Sequence, residues 1–576
     1  MNGQRLHRLI SSSDRTQHIW LSLSLVFAVI YGLLSLKQAF AQANLVQDDA
    51  RQHIFWMLRF IDPGLFPGDL IADYFQSVAP AGYTAVYQLG AWWGVNPLVF
   101  CRILPPILAI ISTGYFFYFC LEILPIPLTG FIGSLILNQV IWLKDDVASG
   151  TPRAFIYPIF IAFLYYLLRN SRVGVGIAVL LMGLFYPQYV FVACGILILR
   201  LFVWKSGLLQ LTSQRTDLQI SGLGLVGGIL VLLPYALHTS EFGPTINRAQ
   251  AMQSLEFFPN GRSMFFHADP FDFWLTGRRS GMFPKSLLTP VTQSAGLLLP
   301  ILLIFRNAFP LSHQINSKIW VLFQLLISAV FMFFMAHAWL FKLHLPSRYT
   351  GLSFRIIMAT ATAIALTLII DGLFKWIESQ KNSVQNLKRF NTFLAGGLIS
   401  GILISLLFYP SFVPFFPLVK YRVGEMTGLY SFFQQQPKDI MIASLSGEVN
   451  QLPTFARRSI LVGREYTIPY HLGYYRQLNQ RTLDLLRAHY TPDLTGLKNF
   501  IQTYGIDFFL IEQSAFTPDF FEHNDWILEF PPGQTAFKQI QTGKFPALST
   551  RMNQCLALHY RHFFVVDGAC ILNLKD

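Results

Sequence analysis

The chain has 576 residues, of which 53% are hydrophobic and only 13% are charged. Soluble domains usually carry about 25% charged residues, and disordered chains are rich in charge and poor in aromatics, so neither class fits. The formal net charge is +13, but basic residues collect in the cytoplasmic loops of membrane proteins. We therefore expect a polytopic membrane protein without a nucleic-acid partner.

Apolar runs long enough to cross a bilayer, about 17–25 residues each, recur from the N-terminus to about residue 415. The stretch 173–204 is too long for one helix and is interrupted at Tyr186-Pro187-Gln188, so we assign two spans to it. The other predicted spans lie near 19–41, 98–121, 126–143, 154–169, 219–238, 286–305, 319–340, 352–374 and 391–414. The pattern predicts about eleven transmembrane helices.

The loops predict the orientation of these helices. Alternate loops carry the basic residues, among them Arg169 and Arg172, Lys205 and Arg215, Arg306 and Lys318, and Lys375 and Arg389. By the positive-inside rule those loops are cytoplasmic. This predicts a cytoplasmic N-terminus at 1–18, a transmembrane domain at 19–415 with a long first outer loop at 42–97, and an extracytoplasmic region at 416–576.

The region 416–576 differs in character from the rest of the chain. Short apolar runs at 440–443 and 506–511 have the length of strands, and helical patterns such as 474–489 lie between them. Strands that alternate with helices predict an α/β domain with a largely parallel sheet. Cys555 and Cys570 both lie in this region, where they form either a disulfide or two buried thiols.

Two acidic pairs are predicted on the outer face, each beside the end of a span. Asp48-Asp49 opens the first outer loop, and Asp145-Asp146 lies in the second. If 49–60 is a helix on the membrane surface, Asp49 shares a face with His53. Carboxylates so placed can deprotonate a hydroxyl or bind a divalent cation, for which Asp49 and Asp146 are the candidate ligands. The structural alternative is that each pair caps a helix or lies in a solvated turn.

Basic residues on the outer face break the orientation rule and are candidates for binding an anion. The fifth outer loop contains Lys342, His344 and Arg348 close to the membrane boundary. Such residues suit a lipid phosphate, although long basic side chains at helix ends also extend to the interface without binding a ligand. His267 and Asp269 in the fourth outer loop are further candidate site residues.

This arrangement resembles the GT-C superfamily of integral-membrane glycosyltransferases, which use sugar donors linked to a lipid phosphate. Members begin with a span and a long outer loop that has acidic residues close behind the span, as at Asp48-Asp49, and a second acidic motif follows span three, as at Asp145-Asp146. Arg102-Ile103-Leu104-Pro105 is a loosened form of their Arg-Leu-Pro motif. The tail, with Tyr504-Gly505-Ile506-Asp507, resembles uncharacterised bacterial and especially cyanobacterial members, and it lacks the Trp-Trp-Asp motif of oligosaccharyltransferases.

The resemblance implies an enzyme that moves a sugar from a polyprenyl-phosphate donor to an acceptor hydroxyl, with inversion, at the outer face of a bacterial plasma membrane. It implies Asp48 or Asp49 as the general base, and Asp145 or Asp146 for holding the acceptor or a cation such as Mg²⁺ or Mn²⁺. The donor phosphate would bind to Lys342, His344 and Arg348, with Arg51, Arg102 and Arg153 as further candidates. The sequence does not determine the sugar or the acceptor, which is a glycan, a lipid or a protein.

Two other functions compete with this interpretation. A flippase or permease for a lipid or a small anion would need a polar path, and the predicted spans have almost no charged residue at mid-membrane depth. A non-catalytic scaffold would bind a glycan or a protein partner through its outer domain, and its Asp pairs would only cap helices.

Overall fold

The computed structural model of the chain describes residues 14–205, 207–237, 240–379 and 385–575. Most of the predicted N-terminal segment 1–18 lies outside these residues. Within them, six helices are long and apolar enough to cross a membrane: Asp14–Ala39, Pro97–Ile123, Arg215–Leu237, Ser317–Ala338, Ser347–Ser379 and Arg389–Phe412. Five shorter apolar helices accompany them: Pro127–Trp142, Pro152–Leu168, Arg172–Phe185, Gln188–Arg200 and Val291–Ile304. Each overlaps a predicted span, and the chain is an integral membrane protein.

Two helices form the centre of this bundle. All 16 residues of Pro127–Trp142 are buried, and 78% of the most apolar part of Ser347–Ser379 is buried, against 28% for Asp14–Ala39. The outer helices expose large apolar side chains such as Leu33 and Val226. Lipid solvates such side chains, so an outer helix needs to pack against protein on one side only.

The predicted span at 286–305 is not one regular helix. It forms a 3₁₀ helix at Val291–Leu298 and an α-helix at Leu299–Ile304. Rises of 2.0 and 1.5 Å per residue give a combined length of about 25 Å, which is short of the roughly 30 Å hydrocarbon core. This segment therefore does not have the length of a regular transmembrane helix.

The first long loop forms a layer on one end of the bundle. It contains the helices Asp48–Ile54, Leu70–Ser77 and Ala81–Trp92, with a 3₁₀ helix at Phe55–Phe60. The prediction of one membrane-surface helix over 49–60 is wrong, because the helix changes type at Phe55 and the apolar residues that follow are buried inside the protein. The ring of Phe55 packs against that of Tyr466 in the tail, with centroids 5.5 Å apart.

The strands form three sheets. They are β1 (Leu45–Gln47), β2 (Phe202–Lys205), β3 (Leu208–Leu211), β4 (Tyr421–Val423), β5 (Met441–Ala443), β6 (Ser459–Ile460), β7 (Phe508–Glu512), β8 (Leu556–Tyr560) and β9 (Phe563–Asp567). Two sheets are antiparallel pairs, β1 with β4 and β2 with β3. The third has the order β6-β5-β7-β9-β8, with parallel pairing up to β7 and antiparallel pairing beyond it. It is mixed rather than largely parallel, because β8 and β9 are joined by a tight turn instead of a helix.

Helices surround this five-stranded sheet. They are Thr427–Gln435, Leu452–Phe455, Leu472–Tyr490, Leu494–Tyr504, Pro518–Glu522, Asp525–Leu528, Pro531–Gln541, Ala547–Arg551 and Gly568–Leu572. Cys555 and Cys570 form a disulfide, with Cα atoms 5.5 Å apart. Of the two states that the sequence left open for these cysteines, the structure has the bonded one.

Candidate functional site

A cavity of about 920 Å³ lies at one end of the helix bundle. We call this end of the bundle the pocket end. Its wall comes from the start of the first loop, the turn and helix start at 143–157, the break between helices at 186–189, and the segments 276–286, 347–355 and 415–421. Charged residues at the other ends of the same helices, such as Glu122, Lys318 and Lys375, do not line it. The cavity is therefore built from one end of the bundle.

All four acidic residues predicted for the site line this cavity. Gln47 is the N-cap of Asp48–Ile54, because its side-chain oxygen accepts a hydrogen bond from the Ala50 N–H at 2.8 Å. Asp48 and Asp49 thus occupy the first turn, where the helix dipole stabilises negative charge. The alternative that Asp48 or Asp49 caps this helix is wrong, since Gln47 has that role. Asp145 and Asp146 come from the turn that follows Pro127–Trp142.

Arg153 joins the two acidic pairs. It lies in the first turn of Pro152–Leu168, and its guanidinium forms an ion pair with Asp49 Oδ2 and another with Asp146 Oδ1, the latter at 3.2 Å. Asp146 Oδ2 also pairs with Arg355, whose Nη1 donates to the Tyr157 hydroxyl at 3.1 Å. One member of each acidic pair is therefore held in a single network of alternating charges.

These ion pairs keep two of the carboxylates charged. Burial alone would raise the pKa of Asp49, but Arg153, followed by His53 and Arg348, lowers it below its ordinary value. The pKa of Asp146 is also lowered despite burial, because Arg355 and Arg153 both lie beside it. Both residues are therefore ionised at neutral pH.

Asp145 has a different environment. Burial raises its pKa to about 7. The hydrogen bonds from Gln47 and from the backbone of Lys420 lower the pKa and offset only part of this rise. Gln47 Nε2 donates to Oδ2 at 2.7 Å, and the Lys420 N–H donates to Oδ1 at 3.3 Å. Without an arginine partner, Asp145 changes its charge close to neutral pH.

One carboxylate oxygen of Asp49 makes no hydrogen bond to any described residue. In the described part of the chain Asp49 bonds only through Oδ2, to Arg153. The oxygens of the other three acids are all engaged: those of Asp48 by Arg51 and Arg422, and those of Asp145 and Asp146 by the partners named above. Asp49 Oδ1 is therefore the carboxylate oxygen best able to accept a proton from a bound ligand.

The cavity contains more cations than its acids require. Arg153 and Arg355 pair with the acids, and the other five lining cations form no ion pair among the described residues: Lys144, Arg278, Lys285, Arg348 and Lys420. The Nε of Arg348 is buried and has no hydrogen-bond partner there. Burial and the nearby Arg355 lower the pKa of Lys144 to about 8. The site is therefore suited to an anionic ligand.

Most of the other basic residues named from the sequence do not line the cavity. Lys342 is exposed outside it, and His344 lies beside Tyr470, where burial and Arg348 lower its pKa to about 3. Arg102 donates to the Ala43 carbonyl at 3.3 Å. Arg51 is buried and pairs with Asp48 and Glu465 at 3.1 and 3.3 Å. Of the basic residues named, only Arg153 and Arg348 line the cavity, because the others are held by protein groups or point elsewhere.

The three additional candidates also lie off the cavity wall. His53 is half-buried one turn beyond Asp49 in the same helix, and burial lowers its pKa to about 4 although Asp49 opposes the change. Asp269 is exposed and accepts from the Phe271 N–H at 3.0 Å, so it organises its own loop. His267 is half-buried in the same loop and contributes no atom to the wall.

A cation shared by Asp49 and Asp146 does not fit this arrangement. Arg153 donates to both carboxylates, so a guanidinium stands where the shared cation would have to bind. Within the described residues there is also no group of three or more His, Cys, Asp or Glu side chains placed to hold a metal ion. Asp49 and Asp146 are therefore not placed to share a cation.

Three lining residues were not among the site residues predicted from the sequence. Arg355 and Tyr157 complete the network around Asp146, and Lys420 adds positive charge, as do Arg278 and Lys285 of the fourth outer loop. Arg355 did give a signal, because a lone charge inside an apolar helix usually faces a polar site. Lys420 gave no such signal. It lies after the last membrane helix, and only the tertiary structure brings it to the cavity.

No protein-family model matches the sequence, and no curated protein matches it. Among solved structures, the apo oligosaccharyltransferase of Archaeoglobus fulgidus has a TM-score of 0.53 at 10% identity, over 87% of this chain and 71% of that chain. The oligosaccharyltransferase AglB of the same organism, in complex with an inhibitory peptide and a dolichol-phosphate, has a TM-score of 0.51 at 10% identity, over 87% and 70%. ArnT from Cupriavidus metallidurans in the apo state has a TM-score of 0.44 at 12% identity, over 97% and 99%.

The likeness to the oligosaccharyltransferase extends over most of both chains, although only one residue in ten is identical. At this identity it concerns the architecture, and the chemistry has to be argued from the site. The architecture is the one that the motifs of the sequence indicated. The chain has the fold of these oligosaccharyltransferase structures.

Proposed function

We propose that this chain is a membrane glycosyltransferase that moves a sugar from a polyprenyl-phosphate donor to an acceptor hydroxyl. The observation that carries the proposal is the composition of the cavity wall. A carboxylate oxygen free to accept a proton lines one cavity at one end of a membrane bundle, together with five cations that have no ion-pair partner among the described residues. The solved AglB complex, which has the same fold, contains a dolichol-phosphate.

The cations would bind the donor phosphate. Arg348 has a buried Nε without a partner, and its neighbour Ser347 donates to the Arg278 carbonyl at 3.0 Å, which ties Arg278 to the same wall. Arg278 and Arg348 line the same cavity as Asp49, and both lower the pKa of its carboxyl group. As the bond between the sugar and the phosphate breaks, negative charge develops on the phosphate oxygen, and these guanidinium groups stabilise it.

Asp49 would be the general base. Oδ1 accepts the proton of the acceptor hydroxyl while the acceptor oxygen bonds to the anomeric carbon and the polyprenyl phosphate leaves with the electron pair of the broken bond. Attack from the side opposite the phosphate inverts the configuration at that carbon. Arg153 holds Oδ2, so the orientation of the carboxylate is fixed before the acceptor binds.

The proposal includes the location of the site. Basic residues such as Arg169, Lys318 and Lys375 lie at the end of the bundle opposite to the cavity, which supports an extracytoplasmic pocket end by the positive-inside rule. The disulfide of the tail is consistent with an oxidising compartment. A bacterial plasma membrane with the N-terminus in the cytoplasm satisfies both observations.

The two competing functions have less support. A flippase or permease needs a polar path that reaches both sides, whereas the cavity wall comes from one end of the bundle. A scaffold would use the acidic residues as caps, whereas they line a cavity and Gln47 is the cap.

The test uses purified protein in nanodiscs and a panel of synthetic undecaprenyl-phosphate hexoses and pentoses. Mass spectrometry follows the release of undecaprenyl phosphate, with water and a membrane-lipid extract as acceptors and empty nanodiscs as the control. We expect release of undecaprenyl phosphate from at least one donor. NMR of the product should show that the anomeric configuration is inverted relative to the donor. Protein that binds undecaprenyl phosphate but consumes none of the donors would overturn the proposal.

A further inference from the structure

A short two-stranded ribbon at the wall of the cavity joins the first loop to the segment that follows the last membrane helix, Arg389–Phe412. β1 and β4 form it, with Val46 opposite Arg422 and Gln47 opposite Tyr421. Isolated pairs of three-residue strands have little stability of their own. The side chains and peptide groups at the cavity end of this ribbon nevertheless make specific contacts with both acidic pairs.

Gln47 connects the helix that carries the first acidic pair to an acid of the second pair through one amide. Its Oε1 caps the helix that begins with Asp48 and Asp49, and its Nε2 donates to Asp145 Oδ2 at 2.7 Å. The side chain is buried, with the residue 3% exposed, so water cannot replace either bond easily. A single residue therefore joins the start of the first-loop helix to Asp145, which lies 98 positions further along the chain.

The opposite strand holds the same acids from the other side. Arg422 donates through Nε to Asp48 Oδ1 at 2.9 Å. The Lys420 carbonyl accepts from the Asp48 N–H at 2.9 Å, and the Lys420 N–H donates to Asp145 Oδ1 at 3.3 Å. The segment after the last membrane helix thus forms one side of the cavity. It also supplies hydrogen-bond partners for Asp48 and Asp145, one acid of each pair.

We propose that this ribbon is a positioning element of the cavity, in which Gln47 orients Asp145 and Arg422 orients Asp48 for sugar transfer. The inference rests on the proposed function. It assigns the tail a direct part in the site, because β4 is the first element of the tail and its contacts end on cavity acids. Gln47 and Arg422 are positioning residues, since neither lines the cavity itself.

A simpler account is that these contacts only attach the tail to the first loop. The chain offers a matched control for this account. Lys438 in the tail pairs with Asp62 in the first loop at 2.7 Å, and its side chain is 51% exposed, compared with 52% for Arg422. Lys438 joins the same two regions but does not line the cavity or contact its acids.

The first experiment compares Arg422→Gln with Lys438→Gln in the nanodisc transfer assay. We expect kcat to fall about tenfold or more in Arg422→Gln, since small misplacements of reacting groups have effects of that order, while KM for the donor changes less than twofold. Arg422→Lys should recover part of kcat because it keeps the charge on Asp48. Lys438→Gln should match the wild type. Equal effects of the two Gln variants, or no effect of either, would overturn the inference.

The second experiment does not depend on activity. Carbodiimides modify protonated carboxyl groups, so the extent of Asp145 labelling against pH, read by mass spectrometry, reports its charge. Glu at position 47 can still cap the helix, but it removes the donor to Asp145 and adds a negative charge beside it. We expect the labelling midpoint of Gln47→Glu to rise by about one pH unit above that of the wild type.

The two experiments separate the possible failures. If the wild type transfers no sugar, the proposed function fails, and the labelling curve still tests whether Gln47 controls Asp145. If the wild type is active but the labelling midpoint of Gln47→Glu does not move, the ribbon does not position Asp145 and the inference is wrong. Melting temperatures of all variants, measured by the same nanodisc protocol, identify a variant that has lost its fold.

Discussion

The two ends of the helix bundle use their charges differently. At the end opposite to the cavity, three acids are each paired with their own cations: Glu122 with Lys318 and Arg169, Asp217 with Arg200 at 2.8 Å, and Asp371 with Lys375 at 2.8 Å. At the pocket end, acids from two loops share Arg153, and five cations around them have no ion-pair partner among the described residues. Separate ion pairs neutralise the charges at a helix end. A shared arginine surrounded by cations without ion-pair partners is suited to binding an anionic ligand.

The largest expected effect separates the acids of the two ends. Asp49→Asn keeps the size of the side chain but removes the charged Oδ1 that would accept the proton. Transfer should fall by about 10²–10⁴, the usual contribution of a general base. The matched variant Glu122→Gln at the opposite end should transfer sugar within about twofold of the wild type. Full activity of a folded Asp49→Asn protein would remove the base assignment.

A second prediction compares arginines of the two ends. Arg348→Ala removes a cation with a buried, unpartnered Nε from the cavity. Hydrogen bonds to charged groups contribute about 1.5–3 kcal/mol, so the Kd for undecaprenyl phosphate should rise roughly 10- to 100-fold. Arg169→Ala, which removes an exposed arginine paired with Glu122, is the control and should leave that Kd unchanged. Tryptophan fluorescence titration in nanodiscs measures both, and equal Kd values for the two variants would contradict the assignment.

The smallest expected effect is on the pH dependence of protein stability, measured as the melting temperature. The pKa of Asp145 is about 7 in the folded protein, against an ordinary value of 3.8, so between these limits the folded state holds a proton that the unfolded state has released. Its contribution to stability is therefore present at low pH and is lost as the pH rises from about 4 to about 7. Asp145→Asn lacks this loss, so its melting temperature relative to the wild type should rise across that window and then stay level. Parallel melting curves for the two proteins at all pH values would show that Asp145 does not titrate there.

Much of the fold could be predicted from the sequence because membrane insertion depends on local hydrophobicity. The apolar runs gave the positions of the helices, and the GT-C resemblance gave their architecture. The segment 286–305 was less regular than its hydrophobicity indicated, since hydrophobicity does not determine the type of helix. The sheet was more antiparallel than expected, because a five-residue strand gives no signal about its neighbour's direction.

The candidate site was only partly predictable. The acidic pairs stood out because charge is rare in this chain, and all four of their residues line the cavity. Lys342 and Arg348 were equivalent in the sequence, yet Arg348 lies at the start of a buried helix and lines the cavity while Lys342 is exposed. Side-chain direction at a helix start depends on packing against other helices, which the sequence of one loop does not specify.

The sequence by itself determined that this is a membrane protein, approximately where its apolar helices lie, and which rare charges are unusual. These are local properties, set by the transfer of short segments from water to lipid. Only the tertiary structure decided that Arg153 joins Asp49 to Asp146 and that Arg422 holds Asp48, contacts that link residues 104 and 374 positions apart. Such contacts depend on how the helix ends and the tail pack together, and no local pattern in the chain encodes that packing.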